Sequence, residues 1–134
     1  MKKVFGILLL AGLLAGCRTS EVLTEPARPG QRSASGAPVI ANVSAVNYGY
    51  YLFGCLPIWS GNPNRPNQEL YWMWKDAVHD HYQKQMMDFA RRKVKGDRIE
   101  DYSSNEHFSG VYTLWIVWRK VLRSNAVIVK NASR

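Results

Sequence analysis

The stretch "NQELYWMWKDAVHDHYQKQMMDFARRKVK", residues 67–95, decides the predicted fold. Apolar side chains recur along it in steps of three and four, which is the period of one face of an α-helix. This stripe consists of Leu70, Trp74, Val78, Tyr82, Met86 and Phe89, with Ala77 and Ala90 beside it. Asn67 is an acceptable N-cap and Gly96 a good C′ residue. The pattern predicts one long amphipathic helix over residues 67–95.

Segments rich in β-branched and aromatic residues flank this helix and predict strands. One is "PVIANVSAVNYGYYLFG", which precedes a loop dense in glycine, proline and asparagine. After the helix come "DRIEDYSS", the turn "NEHFSG", the strand "VYTLWIVWRKV", the break "RSNA" and a last strand "AVIVK". The predicted fold class is α+β, with one long helix packed on a small antiparallel sheet in the order β-α-β-β-β.

The strand "VYTLWIVW", residues 111–118, is apolar at both alternating sets of positions. One helix shields one face of a sheet, and a strand with a solvated face carries polar residues at every second position. The second face therefore needs a cover. Either residues 18–38 fold back over it or another subunit covers it. Because residues 18–38 are poor in apolar side chains, we expect a homo-oligomer or an envelope protein partner, with Trp115 and Trp118 in the contact.

The N-terminus has a positive start, Met1 to Lys3, and then an uncharged run from Val4 to Gly16. Such a run covers about 20 Å as a helix, less than the ~30 Å hydrocarbon core, and has the length of a signal-peptide h-region. The residues Leu14 to Cys17 resemble the lipobox of bacterial lipoproteins. This resemblance implies acylation of Cys17 and cleavage before it; ordinary secretion and an uncleaved anchor are the alternatives.

The chain is thereby divided into three segments. Residues 1–16 are the expected lipoprotein signal peptide, residues 17–38 the lipidated cysteine with a flexible tether, and residues 39–134 a single α+β domain. The tether assignment follows from its proline, glycine and serine content. Arg18 stands where an aspartate would signal inner-membrane retention, which favours the outer membrane, facing the periplasm.

The net positive charge of the chain has two interpretations. Loss of the leader removes two lysines, so the formal net charge falls from +8 to +6. A basic surface is attracted to anionic lipid or cell-wall polymers, whereas the dense cluster "RRKVKGDR" complements a helix C-terminus without any ligand. We expect no nucleic-acid partner. Cys55 has no partner for a disulfide once Cys17 is acylated, and its apolar neighbours predict a buried thiol.

Residues that would carry catalysis or a metal are weakly represented. Asp76, His79 and Asp80 share one face of the predicted helix, while His81 points towards the core. A solvated helix face is the preferred interpretation, and no metal or cofactor is expected. The sequence has no glycine-rich phosphate loop or paired CxxC, and we expect a protein that is not an enzyme.

Aromatic residues cluster around the Gly/Pro/Asn loop and suggest a binding surface. Trp59 and Trp72 are candidates for stacking on a glycan or cell-wall polymer, whereas Trp115 and Trp118 are candidates for contact with a protein. The leading function hypothesis is a membrane-anchored, non-catalytic interaction or structural module. The alternative is a polymer-binding module that uses the aromatic loop and the basic surface.

The order of these segments resembles the TRL-like small bacterial lipoproteins. The resemblance is carried by "FGCLPIWSGNP", a long helix, "GDRIEDY" and the terminal "AVIVK", over residues 37–130. It implies an envelope lipoprotein with a glycine-rich loop after the first strand, a helix and a terminal strand pair. It implies no catalytic residues.

Overall fold

The computed structural model of the chain describes residues 20–66, 70–72, 76–110 and 116–131. In chain order its elements are β1 Glu21–Pro26, β2 Val39–Leu52, β3 Leu56–Gly61, β4 Leu70–Trp72, α1 Asp80–Lys93, β5 Arg98–Ser109 and β6 Val117–Val129. The predicted arrangement of a helix with a small antiparallel sheet is confirmed. The predicted order is wrong, because α1 follows four strands and precedes two.

β2 and β6 form the centre of the sheet. They pair antiparallel from Val39 opposite Val129 to Leu52 opposite Val117. The other edge of β2 is shared, because β1 pairs with residues 41–46 and β3 with residues 49–52. β4 and β5 complete the order β4-β3-β2-β6-β5. We call the end with Leu52 and Val117 the upper end and the end with Val39 and Val129 the lower end.

The core lies between α1 and one face of the sheet. Its buried members are Ala41, Val43, Ala45, Met86, Met87, Ala90, Ala126 and Ile128. Gln83 is also buried, and its Nε2 donates to the carbonyl oxygen of Leu122 at 2.5 Å. This bond offsets part of the cost of burying the amide group, whose Oε1 accepts no hydrogen bond from the described residues. Among the described residues, no helix has the length and apolar content needed to cross a bilayer.

The helix begins at Asp80 instead of near Asn67, which lies outside the described residues. Residues 70–72 form β4 and pair with residues 59–61 of β3. Before the helix, Oδ1 of Asp76 accepts hydrogen bonds from the Val78 amide at 3.0 Å and the Tyr51 hydroxyl at 2.5 Å. Such a side-chain bond gives the backbone a non-helical partner. It holds residues 76–78 outside α1.

The face of α1 that meets the sheet differs from the predicted stripe. Gln83, Met86, Met87 and Ala90 are its buried residues. Phe89, predicted in the core, is 51 % exposed, so that prediction is wrong. The sheet opposite is lined mainly by alanine and valine, and unbranched methionines fill the space over such an irregular surface well. The burial predicted for Val78 is confirmed, although Val78 precedes the helix.

Residues 20–38, predicted as a flexible tether, are folded onto the sheet. β1 pairs along β2 from Glu21 opposite Val46 to Pro26 opposite Ala41, and Val22 packs against the core. The connection to β2 is closed by turn bonds such as the Ser33 amide to the Ala37 carbonyl at 3.0 Å. The glycine and proline residues of this segment therefore belong to a hairpin connection, because the flanking strands supply its hydrogen bonds and its burial.

β5 and β6 are longer than predicted. β5 continues through residues 105–109, where a turn was expected, and β6 runs unbroken through "RSNA", residues 123–126. Ser124 points to the α1 side, where its Oγ lies 3.2 Å from the Tyr102 hydroxyl, while Arg123 and Asn125 are exposed. Polar residues alternate in this way in a strand with one solvated face. Residues 111–115 of the predicted strand lie outside the described residues.

The C-terminus of α1 carries a Schellman-type cap that is displaced by one residue from the prediction. The Gly96 amide donates to the Arg91 carbonyl at 3.0 Å, and the Lys95 amide donates to the Arg92 carbonyl at 3.2 Å. Lys95, with a φ of 58°, occupies the left-handed C′ position expected for Gly96. Gly96 is required for another reason, because a Cβ there would collide with Cγ2 of Ile128.

Substitutions at Lys95 and Gly96 should change the free energy of unfolding in opposite directions. Lys95→Gly relieves a left-handed side chain and should raise the free energy of unfolding by about 0.5–1 kcal/mol. Gly96→Ala forces a methyl group into the core and should lower it by about 1–3 kcal/mol. Urea denaturation followed by circular dichroism measures both. A stabilising Gly96→Ala would contradict this description of the cap.

Candidate functional site

The face of the sheet opposite α1 carries a cluster of aromatic and basic side chains. Tyr50 on β2 is the register partner of Trp59 on β3, and their ring centroids are 5.0 Å apart. On the other side of β2, the guanidinium of Arg119 lies 4.9 Å from the ring centroid of Tyr48. Arg123 follows on the same face of β6, since successive side chains alternate. We call Tyr48, Tyr50, Trp59, Arg119 and Arg123 the aromatic–arginine face.

A groove of about 330 Å³ runs beside this face and is lined by Asn105, His107, Arg119, Val121 and Arg123. Within the described ranges, neither arginine forms an ion pair with a carboxylate. The Nε of Arg119 is buried without a hydrogen-bond acceptor there. The groove therefore offers hydrogen-bond donors and positive charge that no carboxylate of the described residues neutralises.

The upper end of the sheet exposes large apolar side chains. Phe53 is 63 % exposed, Leu56 40 %, Phe108 43 % and Ile116 45 %. Trp118 is half-buried beside them and stacks on Phe108, with ring centroids 5.0 Å apart. The Phe53 amide donates to the Ile116 carbonyl at 2.7 Å, which joins the β2–β3 turn to the start of β6. We call Phe53, Leu56, Phe108, Ile116 and Trp118 the apolar end.

Cys55 lies in the turn at this end and is exposed, so the prediction of a buried thiol is wrong. The turn is built on left-handed backbone at Phe53, with φ 51°, and Gly54, with φ 75°. It turns residues 53–56 away from the core although all but glycine are apolar. The nearest polar contact of the thiol is the Leu52 carbonyl at 3.8 Å.

A polar cluster on the α1 side joins the sheet to the segment before the helix. Tyr51 donates to Asp76, whose other carboxylate oxygen lies 3.1 Å from Nε2 of His79. Burial, followed by the hydrogen bond to Asp76, raises the pKa of the Tyr51 phenol far above its ordinary value. The phenol therefore stays protonated and acts as a fixed donor, which suits attachment of this segment to the sheet.

The trio Asp76, His79 and Asp80 is not brought together as one set of ligands. Asp80 turns to β5 instead, where hydrogen bonds from Ser104 and then Tyr102 lower the pKa of its carboxyl group. The part of the chain that the structure describes contains no group of three His, Cys, Asp or Glu side chains placed to hold a metal. His81, predicted to point to the core, is exposed because α1 is rotated relative to the predicted stripe.

The predicted tryptophans fall on different parts of the molecule. Trp59 lies on the aromatic–arginine face, and the backbone of Trp72 pairs with it across β3 and β4. Trp118 lies on the opposite face, at the apolar end. Trp115 and Cys17 lie outside the described residues. The apolar second face predicted from residues 111–118 is therefore incomplete, because β6 continues on that side with Arg119, Arg123 and Asn125.

Sequence reasoning missed Tyr50, Arg119 and Phe53. Arg119 was counted only in the net charge, although its spacing from Arg123 and Val121 shows that they share a face of a strand. Tyr50 could have been found in the same way from alternation along β2. The exposure of Phe53 has no sequence signal, since the turn at residues 53–55 interrupts an apolar run.

Comparison of the chain with protein-family models, curated proteins and solved structures gives no match. The resemblance to TRL-like lipoproteins accordingly stays a prediction.

Proposed function

We propose that this chain is a lipid-anchored protein of the bacterial cell envelope, of non-catalytic type, that binds a partner protein through the aromatic–arginine face. The observation that carries the proposal is the placement of Tyr50, Trp59 and Arg119 together on the side of the sheet that α1 leaves open. Tyrosine, tryptophan and arginine are the residue types most enriched at binding hot spots. A second copy of the chain is one candidate partner.

The anchor in this proposal is Cys17. The uncharged run that ends in "LAGC" supports acylation there, and two or three acyl chains hold a protein on a membrane firmly. Arg18 supports residence in the outer membrane, with the domain facing the periplasm. The domain would stand close to the lipid, because Ser20, which donates a hydrogen bond to the Asn62 carbonyl, is three positions after Cys17.

A second candidate partner is an anionic cell-wall polymer. Sugar rings stack on exposed aromatic faces, and Tyr50 and Trp59 are both half-buried beside the groove side of the sheet. Arg119 and Arg123 could pair with phosphate or carboxylate groups, as guanidinium groups do in bidentate geometry. This observation favours a charged polymer over a neutral glycan.

Both parts are tested in bacteria that produce the full chain with a photo-crosslinking amino acid in place of Tyr50. Clickable palmitate should label this protein, and labelling should be lost in Cys17→Ala. Irradiation should give one adduct of discrete protein mass, whereas the crosslinker in place of Phe89, exposed on α1, should give none. Arg119→Ala should weaken the adduct several-fold, and the matched variant Arg92→Ala should not.

Each alternative has its own signature in this experiment. An adduct of twice the chain mass identifies self-association. Retention in the insoluble cell wall after boiling in detergent identifies the polymer and overturns the protein partner. Labelled Cys17→Ala protein refutes the anchor, and equal adducts from positions 50 and 89 refute the binding face.

A further inference from the structure

The two ends of the sheet differ sharply in charge. Residues 48–64 and 107–118, which include the apolar end, contain no Asp, Glu, Lys or Arg. The lower end carries the basic side chains of Arg91, Arg92, Lys93, Lys95, Arg98 and Lys130 together with the acidic ones of Asp88, Asp97 and Glu100, which pair with three of the arginines or lie beside them. The lower end is therefore rich in charge with a basic excess, whereas the apolar end is poor in charge, with Lys120 opposite Phe108 as its nearest cation in the register.

We infer that the apolar end is seated in the same lipid surface that holds Cys17, so that the domain stands on the membrane with the strands of its sheet directed towards it. This inference rests on the lipid anchor proposed above. It assigns the apolar end a lipid ligand and directs the basic lower end away from the membrane.

The length of chain between the anchor and the fold permits this contact. Ser20 is three positions after Cys17, which limits their separation to about 10 Å. Ser20 donates a hydrogen bond to the Asn62 carbonyl and lies beside Gly61, at the end of β3 that is remote from the apolar end. From Gly61 to Leu56, β3 climbs about 17 Å to the apolar end. A reach of about 10 Å from Ser20, together with entry of the apolar end by about 5–10 Å into the headgroup boundary, spans this distance.

The exposed side chains also fit lipid better than water. Phe53 and Leu56 project from a turn, and Phe108 and Ile116 lie beside them on β5 and at the start of β6. Aromatic and aliphatic side chains of this kind enter the boundary between headgroups and acyl chains.

Cys55 provides a native probe of the contact, because it is exposed at the apolar end and Cys17 is blocked by its thioether. The acylated full chain, with a polarity-sensitive fluorophore on Cys55, is reconstituted into vesicles of phosphatidylethanolamine and phosphatidylglycerol. We expect a blue-shifted emission of several-fold higher intensity than in detergent-free buffer, and quenching by doxyl-labelled lipid. The double variant Phe53→Ser, Ile116→Ser should lose most of this quenching.

The control carries the same fluorophore in a Cys55→Ser chain with Phe89→Cys, a site of similar exposure on α1, and should show aqueous emission. Aqueous emission from Cys55 in protein that floats with the vesicles overturns the inference and leaves the anchor intact. Protein that fails to float overturns both. Enhanced emission without lipid quenching, rising with protein density, assigns the apolar end to a second copy and also overturns the inference. Quenching at Lys93→Cys instead of Cys55 would show that the basic end faces the lipid.

Discussion

Replacing Met86 with aspartate should abolish the folded state of this domain. Met86 is fully buried between α1 and the sheet, within a cluster that includes Val43, Ala45 and Ile128. A carboxylate there loses its water without gaining a partner, and the methionine contacts are lost as well. The expected cost is about 4 kcal/mol or more, a large part of the roughly 5–15 kcal/mol that holds such a domain together.

Phe89→Asp is the matched control, three positions along the same helix. Because Phe89 is 51 % exposed, this change should alter the free energy of unfolding by less than about 1 kcal/mol. Urea titration of both variants by far-ultraviolet circular dichroism makes the comparison. If Phe89→Asp unfolded the chain and Met86→Asp did not, the face of α1 described here as the core face would be wrong.

Val22→Asp should have the second-largest effect, because it detaches β1 from the sheet. Val22 lies opposite Ala45 in the β1–β2 register and packs against the core. A charge there opposes the burial of β1 and exposes the edge of β2, at a cost of about 2 kcal/mol. The melting temperature of the purified chain should fall by about 4–8 °C per kcal/mol lost.

The neighbouring change Leu23→Asp tests whether face, and not position in the chain, controls this effect. Leu23 is 59 % exposed on the other face of β1. The melting temperature of the Leu23→Asp variant should therefore stay close to that of the parent chain. Equal tolerance of both substitutions would mean that residues 21–26 contribute nothing to stability, as a tether would.

The fold class could be predicted from the sequence, because a helical period and β-rich segments can be recognised even when their boundaries are placed wrongly. It was insufficient for the N-terminal half of the predicted helix. There, residues 70–72 pair with β3, and the Asp76 side chain holds the backbone out of the helix. Helical spacing of apolar residues cannot reveal such a competing partner, because that partner is remote in the chain.

The prediction of a flexible tether was wrong for a similar reason. Composition describes what a segment can bury by itself, and residues 21–38 bury little. Their stability comes from the open edge of β2 and from Val22, which no local pattern predicts. "RSNA" was predicted wrongly as a break, because three consecutive polar residues carry no strand signal. Pairing with β2 and β5 keeps this segment in β6, with Ser124 buried and Arg123 and Asn125 exposed.

The binding role of the candidate tryptophans stays a prediction. Trp59 and Trp118, which the sequence indicated as a binding surface, are both half-buried. Their separation onto opposite faces depends on the register of β2 with β3 and β6, and a register is set by long-range pairing. Arg119 and Phe53 can be assigned to these surfaces only once that register is known.

Hydrogen–deuterium exchange of the acylated full chain tests most directly whether residues 21–26, close to the proposed anchor, belong to the folded sheet. The amides of β1 that bond to β2 should be protected to nearly the same degree as those of β6, since all three strands share one sheet. Protection should fall to random-coil values in Val22→Asp and persist in Leu23→Asp. Exchange of residues 21–26 at random-coil rates in the parent chain would show that they form a tether and that the domain is not held directly at the membrane.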